Sequence, residues 1–246
     1  MSNHLDILAI GAHPDDIELT IGGTLIRSVM QGLRVGVLDL TKGELGTRGT
    51  VQIRAQEAAN ASEIIGLSIR ENLGLPDGNI TSDGLIALIK ILRQWRPQIV
   101  MTHPNECRHP DHTAAHHLVR NACFYSGLNK IESSDDYLSW RPKHLLYFAE
   151  VQLFTPSFVV DVTQEWEDRT KALKCYESQI HSPEYKREKS EPETYISNYS
   201  FFEWVEARAR TYGQLIGTTY GEPFQYHGTL GVSELDKFLH MEAPFR

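Results

Sequence analysis

Short apolar runs alternate with segments of helical periodicity through the first half of the chain. Residues 5–10 form an apolar run typical of a buried parallel strand, and the apolar positions within residues 17–30 recur at helical spacing. The alternation continues through three more pairs, which predict strands at residues 34–40, 70–75 and 98–102 and helices at residues 51–65, 85–95 and 112–125. Strand and helix therefore alternate four times.

Four consecutive strand–helix units predict an α/β fold, because right-handed crossovers place helices on both faces of a parallel sheet. We expect a Rossmann-like three-layer sandwich with a mostly parallel sheet. After about residue 130 the alternation loosens into a C-terminal strand and helix extension, with predicted strands at residues 145–148 and 158–162, helices at residues 165–179 and 201–215, and a polar surface loop at residues 182–197. We expect one domain over residues 1–246.

The composition narrows the possible partners and the cellular compartment. The chain carries 24 lysines and arginines against 32 aspartates and glutamates, and the net charge of −8 argues against nucleic-acid binding. No apolar stretch is long enough for a membrane span, and the N-terminus lacks the basic and apolar regions of a signal peptide. Three widely spaced cysteines fit neither a disulfide framework nor a C-x-x-C metal site. We therefore expect a cytoplasmic protein with reduced thiols.

The turn after the first predicted strand carries an unusual set of polar residues. Residues 11–16 read Gly-Ala-His-Pro-Asp-Asp, where a dinucleotide-binding fold would require G-x-G-x-x-G. Two adjacent carboxylates at this turn would repel a phosphate group. One imidazole and two carboxylates are instead ligands that a metal ion prefers.

A second cluster of the same chemistry follows the fourth predicted strand. Residues 103–112 contain His103, His109, Asp111 and His112. In a doubly wound sheet the first and fourth strands can be neighbours, so both clusters can face one cleft at the carboxyl edge. A His-Asp-His set drawn from the two loops would leave a fourth position open, as in catalytic zinc sites. His103 also follows the strand and is an alternative ligand to His112.

Helix capping is the structural alternative for both clusters. Asp15 or Asp16 could cap the first helix, and Asp111 or Thr113 could cap the fourth. The occurrence of both clusters at matching strand ends favours a functional site.

A second possible metal motif lies within the fourth predicted helix. His112 and His116 have the i, i+4 spacing of a helical zinc site, but the zincin motif requires glutamate where Thr113 stands. We therefore expect His116 and His117 to be ordinary helix-face residues and not metal ligands.

The two clusters together resemble a known enzyme family. His-Pro-Asp-Asp at residues 13–16 with His-Pro-Asp-His at residues 109–112 is similar to the motifs of the PIG-L/LmbE-like zinc-dependent N-acetylglucosaminyl deacetylases. The similarity extends through residues 22–24, 43–49, 75–77, 176–179 and 220–224. It implies one zinc ion (Zn2+) per chain, a small-molecule N-acetylglucosaminyl conjugate as substrate, and a homo-oligomer, in relatives a hexamer built as a trimer of dimers.

The resemblance also implies roles for individual residues. His13, Asp16 and His112 correspond to the family's zinc ligands, and Asp15 to its general base. His109 corresponds to the group that stabilises the oxyanion or protonates the departing amine. A base must reach the attacking water without itself being consumed as a metal ligand, and adjacent carboxylates on one turn can divide these tasks.

Other positions of the chain match the family's residues less completely. Arg54 and Arg108 match residues that contact the anionic part of the substrate in the family, although either could be a solvated surface cation. Some relatives carry a mobile active-site tyrosine just before the last helix, where this chain aligns Phe201, with Tyr195 and Tyr199 nearby. The source of that hydroxyl stays open.

Within the family, the chain is most similar to the deacetylases of bacillithiol biosynthesis. These enzymes remove acetate from N-acetylglucosaminyl malate, which is the reaction we expect here. The alternatives are another conjugate (a glycolipid, a mycothiol-type precursor or a chitooligosaccharide) or a non-catalytic metal- or sugar-binding module. A binding module would have no need of Asp15 beside a complete ligand set, which speaks against that alternative.

Overall fold

The computed structural model describes residues 4–132, 137–185, 191–229 and 231. Within these ranges seven strands form one sheet in the order β3-β2-β1-β4-β5-β7-β6. The strands are β1 (Ile7–Gly11), β2 (Val35–Thr41), β3 (Ile69–Leu75), β4 (Ile99–Thr102), β5 (His144–Phe148), β6 (Phe158–Asp161) and β7 (Gly221–Gln225). Strands β1 to β5 are parallel to one another, and β7 is antiparallel to both β5 and β6. The predicted mostly parallel α/β sheet is confirmed.

Helices cover both faces of this sheet. They are α1 (Asp16–Met30), α2 (Val51–Ile65), α3 (Leu85–Trp95), α4 (Pro110–Tyr125), α5 (Trp166–Lys174) and α6 (Tyr199–Leu215), with a 3₁₀ turn (Ser82–Gly84) before α3. Helices α3 and α4 pack together on one face, and α1, α2 and α5 pack on the other. No helix in the described ranges is long and apolar enough to cross a membrane.

Strand β1 shows why two separate cores form. Its residues alternate between the faces, so Leu8 and Ile10 contribute to the core under α3 and α4, whereas Ile7 and Ala9 contribute to the core under α1 and α2. All five residues of the strand are buried. A strand buried on both faces reads as a continuous apolar run rather than an alternating one, which is the pattern that predicted it.

The C-terminal half differs from the prediction at one helix and one strand. The helix predicted at residues 165–179 ends at Lys174, and strand β7 was not predicted. The sequence of β7 contains Glu222 and Pro223, which are poor strand signals. The Glu222 side chain is nevertheless buried, because its carboxylate accepts the backbone N–H groups of Gly23 and Thr24.

The sheet order brings the two polar clusters to the same edge. Strand β1 pairs directly with β4, with Ile7 opposite Ile99, so the loops at residues 12–15 and 103–109 leave the sheet side by side. Strand β5 lies on the other side of β4 and ends at the same edge. Three adjacent strand ends therefore supply the residues of the site.

Candidate metal centre and active site

A cavity of about 430 Å³ opens at this edge of the sheet. The seven residues to which the sequence assigned a metal-binding, catalytic or substrate-binding role all line it: His13, Asp15, Asp16, Arg54, Arg108, His109 and His112. They come from the β1–α1 turn, helix α2 and the β4–α4 segment. The topology therefore gathers into one site residues that lie almost one hundred positions apart.

Asp16 lies between two of the predicted histidine ligands. Its Oδ1 is 3.3 Å from Nε2 of His112, and its Oδ2 is 3.6 Å from Nδ1 of His13. The backbone N–H of His13 also donates to Asp16 Oδ2 at 2.8 Å, which fixes the carboxylate at the start of α1. The predicted ligands thus meet around one carboxylate.

Carboxylates hold the outer nitrogens of both histidines. His13 Nε2 lies 3.0 Å from Asp77 and 3.3 Å from Asp111, while His112 Nδ1 is bonded to Glu150. In a neutral imidazole whose outer nitrogen donates its proton to a carboxylate, the inner nitrogen keeps a lone pair that can bind a metal ion. Imidazole nitrogen and carboxylate oxygen are the types of ligand that zinc accepts.

The pKa of His13 reflects the carboxylates that surround it. Burial by itself lowers the pKa of His13, but hydrogen bonds to Asp111, Asp16 and Asp77 raise it to about 11. A cluster that attracts positive charge so strongly is electrostatically suited to a cation.

His103, the alternative ligand, is engaged at both ring nitrogens. Its Nε2 accepts the backbone N–H of Ala12 at 2.8 Å, and its Nδ1 is bonded to Glu150. The ring is fully buried and stacks on His112. Although Nε2 lies 3.4 Å from Asp16, its lone pair is directed to Ala12. This arrangement favours His112 as the metal ligand and gives His103 a supporting position.

Glu150 is a residue of the site that the sequence reasoning missed. It lies two positions after β5, and one oxygen of its carboxylate holds His103 while the other holds His112. Burial alone would raise the pKa of Glu150, but these two histidines hold it well below its usual range. The sequence did indicate this residue, because Glu150 follows the end of the strand predicted at residues 145–148.

Asp15 occupies a strained backbone position beside the metal ligands. Its φ is 117°, which is uncommon for a residue other than glycine, and its side chain makes no capping hydrogen bond. Instead its Oδ2 accepts from Arg54 Nη2 at 2.8 Å. Burial raises the pKa of Asp15 to about 7 despite the opposing charge of Arg54. A carboxyl group with this pKa suits proton transfer at neutral pH.

The two predicted substrate-binding arginines differ in their surroundings. Arg54 is buried, and its Nη2 donates to Pro14 O as well as to Asp15, so much of its guanidinium is engaged within the protein. Arg108 lies at the cavity wall, where its guanidinium stacks over the ring of Tyr195 at 4.6 Å from the centroid. Arg108 is therefore the better placed of the two for a substrate anion.

His109 begins helix α4 as its N-cap. Its Nδ1 accepts the backbone N–H of Asp111 at 3.3 Å, so Nε2 carries the proton of the neutral ring. Burial lowers the pKa of His109, and the positive charges of His112 and His13 lower it further. The alternative in which Asp111 or Thr113 caps this helix does not hold, because His109 takes that position.

The aromatic residues near the last helix divide into two groups. Tyr195 and Phe201 line the cavity, whereas Tyr199 is exposed and its ring contacts His181. Phe201 packs against Tyr195 with ring centroids 5.0 Å apart. Of the two tyrosines considered from the sequence, Tyr195 is the one that lines the cavity. His116 contributes to the interior instead, through a hydrogen bond between Nδ1 and the His103 carbonyl.

Several known proteins are similar to this chain in sequence and fold. The profile of the PIG-L family, described as GlcNAc-PI de-N-acetylase, matches residues 8–123, which include both clusters. The crystal structure of the conserved protein TT1542 from Thermus thermophilus is 35% identical, superposes with a TM-score of 0.82, and is matched over 98% of its length and 93% of this chain. The chain belongs to the PIG-L family, and it is an N-deacetylase.

Two curated relatives extend this comparison. The diacetylchitobiose deacetylase of Thermococcus kodakarensis is 28% identical over 233 residues, which cover 89% of this chain and 82% of the relative. The uncharacterized deacetylase YaiS of Escherichia coli is 35% identical over 125 residues, which cover 48% of this chain and 67% of YaiS. The PIG-L match ends at Cys123, so Glu150 and Tyr195 of this N-deacetylase lie outside the matched region.

Proposed function

We propose that this N-deacetylase uses one zinc ion, held by His13, Asp16 and His112, to hydrolyse the acetamide of an N-acetylglucosaminyl conjugate. The observation that carries the proposal is the arrangement of both histidines around Asp16, each with its outer nitrogen held by carboxylate groups. When bound, the zinc ion would act as a Lewis acid toward the acetamide carbonyl and the attacking water.

Asp15 is placed to manage the protons of this reaction. Arg54 occupies its Oδ2, which leaves Oδ1 to accept a proton from the attacking water. The same oxygen can return that proton to the nitrogen of the departing amine. The Nε2–H of neutral His109 is available to donate a hydrogen bond to the carbonyl oxygen as negative charge develops on it.

Arg108 supports a substrate that carries a carboxylate next to the sugar. A planar guanidinium binds both oxygens of a carboxylate, and stacking on Tyr195 fixes its orientation at the cavity wall. We therefore propose N-acetylglucosaminyl malate as the substrate. The second candidate is a chitooligosaccharide, which is favoured by the similarity to the Thermococcus diacetylchitobiose deacetylase over 89% of this chain.

Acetate release from three sugars tests the proposal and separates the candidates. The purified enzyme is incubated with N-acetylglucosaminyl malate, diacetylchitobiose and plain N-acetylglucosamine, with chelator and after zinc is restored. We expect zinc-dependent acetate release, with the malate conjugate preferred over the plain sugar by about tenfold or more in kcat/KM, the effect of one charge-assisted hydrogen bond. Preference for diacetylchitobiose would replace the malate assignment, and release that ignores the chelator would refute the zinc mechanism.

A further inference from the structure

Helix α1 is broken in its middle, at Ile21. The backbone there has φ −134° and ψ 17°, outside the helical range. In an unbroken helix the N–H of Gly23 would donate to the carbonyl of Leu19, four residues earlier. Instead it donates to Glu222 at 3.0 Å, and the N–H of Thr24 donates to the same carboxylate at 2.7 Å. The break therefore frees the Leu19 carbonyl.

Two buried arginines donate to the carbonyl that the break releases. Nη2 of Arg169 lies 2.7 Å from Leu19 O, and Nη2 of Arg208 lies 2.6 Å from it. Their remaining contacts differ. Arg169 faces Glu222, with Nε 4.0 Å from Oε1. Nη1 of Arg208 instead donates to the backbone carbonyl of Glu150.

Arg208 thus bridges two segments that both reach the metal centre. Leu19 lies one turn after Asp16 on the first half of α1. A group that holds the Leu19 carbonyl therefore also holds the turn that carries Asp16. On the other side, the segment after β5 carries Glu150, whose side chain holds His112. A single guanidinium connects the backbone of these two segments.

We propose that Arg208 is a positioning residue that sets the separation of Asp16 from His112 by tying the kinked helix to the Glu150 segment. The inference rests on the proposed zinc function. The planar guanidinium of Arg208 can direct its N–H donors to two carbonyls at once, whereas a lysine ammonium would contact them as a point charge. The ring of Trp204, 5.1 Å from the Arg208 Cζ, packs against the guanidinium.

The test compares Arg208 with Arg169, because both are buried and both bind the same carbonyl. Zinc affinity is measured by competition with a chromophoric chelator for Arg208→Gln, Arg208→Lys and Arg169→Lys, together with urea unfolding of each protein. We expect Arg208→Gln to lose about 10- to 100-fold in zinc affinity, the usual effect of disturbing groups that orient metal ligands. Arg208→Lys should lose less, and Arg169→Lys should keep the wild-type zinc affinity even if it unfolds at lower urea.

Three results would overturn the inference. Wild-type zinc affinity in a folded Arg208→Gln protein would remove the positioning role while leaving the proposed function intact. If Arg169→Lys lost as much zinc affinity as Arg208→Lys, the loss would reflect a general decrease in protein stability and not a specific role of Arg208. If the wild-type protein binds no zinc, the proposed function fails and this inference fails with it. Should Arg208→Gln not fold, the same comparison is made between Arg208→Lys and Arg169→Lys.

Discussion

At the scale of single residues, carboxylates orient the basic groups of the site. Asp77 and Asp111 hold His13, and Glu150 holds His103 and His112. Each of these carboxylates is paired with a basic partner, because an isolated buried charge would be costly. This pairing also decides which histidine nitrogen faces the cavity.

The predicted metal ligands can be tested one at a time. Changing His13, Asp16 or His112 to alanine removes one of three zinc donors, so each variant should purify without stoichiometric zinc. His116→Ala is the matched control, because His116 lies one turn after His112 but bonds to a backbone carbonyl. Metal content of the purified proteins decides the matter, and a zinc-replete His112→Ala protein would contradict the ligand assignment.

Asp15→Asn tests the base separately from the metal. The substitution preserves the size of the side chain and the ability to accept a hydrogen bond from Arg54, but an amide cannot take up a proton at neutral pH. We expect full zinc content and a fall in kcat of about 10²-fold or more, the scale of a lost general base. Near-normal turnover at full zinc occupancy would place the base elsewhere.

The two arginines should respond differently to the choice of substrate. Arg54→Lys disturbs the partner of Asp15, so we expect kcat to fall by a similar factor for N-acetylglucosaminyl malate and for plain N-acetylglucosamine. Arg108→Ala should reduce kcat/KM by about tenfold for the malate conjugate alone, because only that substrate loses a charge-assisted bond. Steady-state kinetics on both sugars makes the comparison, and a selective loss of the malate conjugate in Arg54→Lys would return Arg54 to substrate binding.

At the scale of elements, the broken part of α1 lies close to the side chains of Val162 and Glu222. A Cβ added at Gly23 would lie 2.8 Å from the Cβ of Val162 and 3.1 Å from Glu222 Oε1. A Cβ at Gly22 would meet only the flexible side chain of Arg169, at 3.1 Å. Gly23 therefore has a packing role at this point of the helix.

This geometry predicts unequal costs for two neighbouring substitutions. Gly23→Ala should lower the free energy of unfolding by about 1–3 kcal/mol, because it overpacks a contact that Val162 cannot relieve by rotation of a long side chain. Gly22→Ala should cost less, since Arg169 Cγ can shift. Urea unfolding of the two variants measures the difference, and equal stabilities would contradict the packing argument.

At the scale of the whole molecule, the strand order assembles the site. The turn after β1 and the segment after β4 are distant in sequence, but β1 and β4 are neighbours in the sheet. Strand β5 then adds Glu150 from the other side of β4. The hexamer, the cytoplasmic location and the single-domain organisation over residues 1–246 stay predictions.

The amino-acid sequence by itself determined most of the elements and indicated the type of chemistry. Continuous apolar runs between helical periods predicted the parallel core, and residues 51–65 and 85–95 form helices at the predicted positions. The two histidine and aspartate clusters predicted a metal site, because their donor chemistry is encoded by residue type and local spacing. These features depend on interactions between neighbours in sequence, which a pattern can report.

Only the tertiary structure decided how those groups are paired. That His103 is turned to Ala12, that Arg54 holds Asp15 and that Glu222 enters the break of α1 all depend on partners many residues away. Strand β7 was missed for the same reason, since Glu222 is buried by a contact with α1 and not by any apolar pattern of its own. Long-range hydrogen bonds between buried polar groups leave no periodicity in the sequence, and they become visible only when the strand order places the partners together.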